Sequence, residues 1–81
     1  MQEDKEYWSK LVSKIVKAEL AKRGLDYPAL VKKLHDIQVD ISVEDLRGRM
    51  SRGTFSAALF VQCLRAIGVT SLPLEESYFT R

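Results

Sequence analysis

The chain has one cysteine, Cys63, and one histidine, His35. A lone cysteine excludes an internal disulfide and makes a reducing cytoplasm the expected compartment. Metal-ligand spacing, a phosphate loop and a paired-carboxylate motif are all missing. His35 as a general base lacks a recognisable nucleophile and an orienting partner. The reading is therefore of a non-enzyme, with no metal and no small-molecule cofactor. No apolar run approaches the roughly 20 residues of a membrane-spanning helix. The N-terminus, MQEDKEYWSK, is too polar and acidic for a signal peptide. Internal repeats, low-complexity tracts and linkers are also missing, so the 81 residues are expected to form one domain over 1–81, with a core at about 7–69 and a C-terminal arm at 70–81. A domain of this size buries only about 60% of its unfolded surface, which keeps dimerisation in view.

One further absence is local. Between Asp45 and Glu75 there is no acid, and the gap holds Arg47, Arg49, Arg52 and Arg65. Acids gather at the ends instead, as Glu3, Asp4 and Glu6 and as Glu75 and Glu76. The net charge of +2 is small, but a basic middle suits an anionic partner.

What is present is helical periodicity, and the fold expected from it is all-α. A first helix spans about 4–23, with Trp8, Leu11, Val12, Ile15 and the Glu19–Leu20 pair on a buried stripe. Acids open it, Lys22 and Arg23 close it, and Gly24 ends it. A second, short helix follows the N-cap Asp26, tolerates Pro28 in its first turn, and buries Leu30, Val31 and Leu34 until it fades near His35 or Asp36. IQVDI, 37–41, alternates like a strand but is short, and reads as an extended turn tucking Ile37, Val39 or Ile41 onto the core. The third helix, about 42–52, has Ser42 as N-cap and Asp45 in a capping-box position, with Leu46 and Met50 inward and Gly53 at its end. The fourth starts after the N-cap Ser56, with Ala57, Phe60, Val61, Leu64 and Ile67 as its buried face and Gly68 at its end. Cys63 is expected to pack as a small hydrophobe. The arm carries Pro73, Leu74, Tyr78 and Phe79 and suits either a turn of helix or a docked extended segment.

GLDYPALVKKL, 24–34, and MSRGTFSAALFVQCLRAIGV, 50–69, resemble the second helix and the third-to-fourth helix junction of the Cro/repressor-type (XRE-like) helix-turn-helix domain. The resemblance covers about 11–69 and implies a four- to five-helix lambda-repressor-like fold with a helix-turn-helix. Here the turn is lengthened, His35 stands where that family turns on glycine, and Glu44 and Asp45 lead the third helix. The chain is also similar to a small bacterial domain family of uncharacterised function, through Trp8, Leu46-Arg47, Ser51-Arg52-Gly53 and Phe55-Ser56.

With Leu46 and Met50 inward, the third helix shows Glu44, Arg47, Gly48 and Ser51 outward. In a major groove Arg47 can pair bidentately with a guanine edge, worth about 1–3 kcal/mol of discrimination. Gly48 lets the backbone approach the groove floor, and Ser51 can donate to phosphate or base. Arg49 and Arg52 flank the phosphates, and Thr54 and Ser56 offer hydroxyls and free N–H groups to one. Lys32 and Lys33 are further phosphate contacts or merely solubilising. The expected partner is double-stranded DNA, and the expected role a small bacterial or phage regulator of transcription. The bland counterpart is a solvated helix face. A protein-interaction module without DNA binding is the alternative, motivated by Glu44 and Asp45 and predicting an exposed apolar patch at Val39, Ile41 and Val43. A homodimer has candidate surfaces in Leu72, Leu74, Tyr78, Phe79, Tyr7 and Trp8, unless the tail covers its own core.

Overall fold

The computed structural model describes residues 2–79, with side chains from residue 5 onward. Met1, Thr80, Arg81 and the side chains of Gln2, Glu3 and Asp4 lie outside the described residues, and with them two of the three acids at the start of the first helix, Glu6 being described and exposed. Four helices follow in order: α1 Gln2–Lys22, α2 Tyr27–Asp36, α3 Val43–Arg52 and α4 Ala57–Ala66, then a 3-10 turn at Glu76–Phe79. Among the described residues there is no strand. The arm thus ends in a turn of helix, the first of its two expected forms.

The helix starts follow the capping residues. The carboxylate of Asp26 accepts from Ala29 N, and the hydroxyls of Ser42 and Ser56 accept from Asp45 N and Leu59 N, each at 3.0 Å. The helix ends repeat one device. At α1, Leu25 N donates to Leu20 O and Gly24 N to Ala21 O; at α4, Val69 N donates to Leu64 O and Gly68 N to Arg65 O. Both glycines have positive φ, as this paired ending requires. At α2 the same bonds run from Val39 N to Leu34 O and from Gln38 N to His35 O. Gln38 takes the left-handed position at φ 65°. The alternation of IQVDI is therefore a helix exit. Its apolar residues go separate ways: Ile37 caps α2 and is exposed, Val39 packs back on the core, and Ile41 is buried.

α1 and α2 each pack on both α3 and α4, and the 3-10 turn packs on α1. The main core joins Val16 and Leu20 of α1, Leu30, Val31 and Leu34 of α2, Leu46 and Met50 of α3, Leu59 and Cys63 of α4 and Ile67 at its C-cap, with Ile41 between. A second cluster sets Leu11 and Ile15 against Tyr78, with Phe60 touching both. α1 therefore serves two apolar surfaces, which is why Val16, outside the expected stripe, is fully buried. Trp8, placed by sequence on that stripe, is 51% exposed. It lies beyond the end of the core, edge-on to Tyr7 and Phe79 with ring centroids 4.9 and 6.2 Å away. α4 is turned from its expected register: Leu59 and Cys63 are buried, while Ala57 and Val61 face solvent. Residues 57–64 are apolar almost all round, so docking on α1 and α2, not periodicity, selects the buried side.

A buried carboxylate ties the tail to this body. Glu19 accepts a 2.7 Å hydrogen bond from Tyr78 Oη, pairs with Arg23 Nη1 at 2.8 Å, and lies 3.2 Å from Lys22 Nζ. The Tyr78 hydroxyl, joined by Arg23 and Lys22, outweighs burial and holds the Glu19 carboxyl down to about 2. Arg23 Nε also donates to Ile67 O at 3.0 Å, closing the end of α4.

Candidate nucleic-acid interface

α3 owes its orientation to three local causes. Ser42 starts it, Leu46 and Met50 (0% and 2% exposed) bind it to the core, and Gly53 ends it at φ 69°. Gly53 does more than turn. A Cβ there would lie 2.5 Å from Ser9 O and 2.7 Å from Ser9 C, so the end of α3 rests directly on the α1 backbone. Sequence assigned Gly53 only the ending of the helix. The seat on Ser9, 44 positions away, leaves no local signal.

The arginines of α3 do not share one surface. Arg47 is exposed, with its guanidinium over the Tyr27 ring, 5.7 Å from the centroid. Arg49 turns the other way. Its Nε donates to Asp45 Oδ1 at 3.1 Å and its Nη1 to Thr54 O at 3.3 Å. Arg49, expected to flank the phosphates, thus also secures the end of α3 through these two bonds. The Asp45 carboxylate pairs with Arg49 at 3.1 Å, while the N–H of Asp45 takes the Ser42 cap. Half the expected box is present, and the acid is neutralised by its own helix.

Arg52 is exposed and folds back over half-buried Gly48. A Cβ on Gly48 would lie 3.1 Å from Nη1 and 3.2 Å from Nη2 of Arg52. The close approach expected at Gly48 is thus already made, by a side chain of the same helix. Ser51 is exposed between Arg47 and Arg52. Thr54 is exposed, and its N–H is used on Arg49 O. The Ser56 oxygen is engaged as the α4 cap, though its hydroxyl proton remains a donor. Lys32 and Lys33 are exposed on α2, apart from the α3 arginines in the chain.

Glu44 stays exposed at the front of α3, one turn before Arg47 and Gly48. The outer face therefore reads Glu44, Arg47, Gly48, Ser51, Arg52, with acid at one end and two cations over the last two turns. Tyr27 was missed from the sequence. An aromatic at the start of α2 says nothing of a residue 20 positions later until the helices dock.

The surface expected for a partner protein does not form. Ile41 is buried, and Val39 and Val43 are half-buried against the core. Cys63 is fully buried, and burial pushes its thiol up to about 12, as for a packed side chain. His35 Nε2 lies 3.3 Å from Ile41 O and 3.4 Å from Asp40 Oδ1 beside an open hollow. Among the described residues no group of three or more His, Cys, Asp and Glu could hold a metal ion, and no helix is long and apolar enough to cross a membrane.

No curated protein and no solved structure matches the chain. A family model described as a domain of unknown function, DUF6471, matches residues 8–72, from Trp8 through the four helices and into the arm. The chain belongs to the DUF6471 family.

Proposed function

We propose that the chain binds double-stranded DNA as a small regulator of transcription, with α3 entering the major groove in the manner of a Cro/repressor-type helix-turn-helix domain. The observation that carries this reading is the outer face of α3. Arg47, Ser51 and Arg52 stand exposed opposite the buried Leu46 and Met50, at the start of a stretch without acids from 46 to 74. Tyr27 lies under the Arg47 guanidinium, 5.7 Å from it, and this contact restrains the side chain, so less freedom is lost when its N–H groups meet a guanine edge. Arg52 and Ser51 supply phosphate contacts, with Lys32 and Lys33 at greater distance along the backbone.

A titration by fluorescence anisotropy against genomic fragments, at low and moderate salt, tests the reading. Affinity falls steeply with salt if phosphates are neutralised. Arg47→Ala relaxes sequence preference, whereas Lys32→Ala weakens all sequences alike and lowers the salt slope by about 1. Absence of salt-sensitive binding sinks the reading. A protein-interaction module on the same fold is the second reading, favoured by Glu44 on the exposed face of α3. It predicts partner capture that survives nuclease treatment and Arg47→Ala.

A further inference from the structure

The surface away from α3 holds an apolar groove of about 310 Å³ between α4 and the tail, lined by Val61, Leu64, Arg65 and the 69–72 segment. Three large hydrophobic side chains project from this end of the molecule: Val61 at 58% exposure, Leu72 at 57% and Leu74 at 56%. Leu72 and Leu74 are fixed relative to each other. Pro73 between them is buried, and Leu74 N donates to Leu72 O at 3.0 Å, a three-residue turn that suits the fixed φ of proline. Burying Pro73 while leaving both leucines in water is the inverse of what the tail needs for its own packing. The other aromatic dimer candidates are occupied within the chain: Tyr78 on Glu19, Tyr7 Oη on Phe79 O at 3.3 Å, and Trp8 beside Phe79.

Charge on this surface comes in both signs. Arg65 lines the groove and has no ion pair among the described residues. Leu72 also borders an adjoining hollow that reaches Glu75, and Glu75 is half-exposed, 3.5 Å from Lys22 Nζ. A surface that carries exposed apolar side chains beside an apolar groove, with charges of both signs, holds the elements that an isologous interface pairs across its axis.

We propose that this face joins two copies of the chain about a two-fold axis, with Leu72 and Val61 of each copy filling the other's groove and Arg65 of one facing Glu75 of the other. Its position leaves α3 clear. The groove is at the end of α1 where Arg23 binds Ile67 O, whereas Gly53 rests on Ser9, about 20 Å away along the helix. The interface stands independently of the DNA reading.

Sedimentation equilibrium of the full chain, without DNA, from about 1 µM to about 1 mM is the test. The expected result is a reversible dimer whose dissociation constant rises at least about tenfold in Leu72→Asp and in Val61→Asp. Arg65→Glu weakens association, and adding Glu75→Arg in the same chain recovers it. All four positions are exposed, and thermal melts followed by circular dichroism establish that the variants fold. A chain monomeric throughout that range, or a dimer that neither aspartate variant weakens, overturns the proposal. A monomer that still binds DNA in a salt-sensitive way overturns this interface and leaves the DNA reading standing; a dimer indifferent to DNA does the reverse.

Discussion

Glu19 is the residue through which the tail is hydrogen-bonded to α1. It is 4% exposed and is satisfied by Tyr78 from the tail, by Lys22 of its own helix and by Arg23 directly after it. A buried carboxylate in that position stabilises the fold only while ionised. Its folded pKa, about 2, lies below its ordinary value of 4.5. The contribution is therefore fully present above 4.5 and is lost as pH falls through about 2. Tyr78→Phe removes the largest cause of the depression and is expected to cost about 1.5–3 kcal/mol near neutrality, the range for a hydrogen bond to a charged group. The difference between the two proteins should shrink as the medium is acidified, because below about pH 2 the carboxyl is protonated in both. Thermal melts across that range check the sign. Little of this was legible beforehand. Glu19 fell on the apolar stripe as an oddity, and its partner stands 59 positions away. Arg47 and Tyr27 are the same case at shorter range.

At the scale of the element, helix ends were the most legible part of the chain, because caps act over three or four residues. Asp26, Ser42 and Ser56 each start the helix expected of them, and Gly24, Gly53 and Gly68 each end one. Gln38 escaped notice because a non-glycine in the left-handed region carries no signature, and the residues around it mimic a strand. The buried side of α4 was illegible for another reason: a helix apolar almost all round has no preferred face until something docks on it. The glycine ends are alike in backbone angle and unlike in surroundings, which gives a paired prediction. Nothing lies within 4 Å of a Cβ at Gly68, so Gly68→Ala costs about 1 kcal/mol, the strain of the left-handed conformation alone. Gly53→Ala carries that strain and also meets Ser9 O at 2.5 Å, so about 3 kcal/mol or more is expected as α3 is levered off α1. Denaturant titration of the two variants side by side separates the two costs.

For the whole molecule, the division into a body and an arm has a physical meaning. The 3-10 turn contributes Tyr78 to the second hydrophobic cluster, over Leu11 and Ile15, and its hydroxyl is the first partner of Glu19. Truncation after Val69 exposes that cluster and leaves Glu19 with its two cations only. A loss of about 3 kcal/mol or more is expected from side-chain burial and the hydrogen bond together, read as a lower melting temperature with the α-helical signal of the body retained at low temperature. The arm is thus a stabilising cover for α1 on one side, while Leu72 and Leu74 face outward on the other. Trp8 stands at the margin of that cover. It is the only tryptophan in the chain, half in water and edge-on to Phe79 at 6.2 Å. Its fluorescence is consequently an intrinsic optical gauge of arm docking, separate from the far-ultraviolet signal of the four helices. If the arm lifts before the body melts, the emission of Trp8 shifts first, and a two-colour unfolding curve records the order of events without any label.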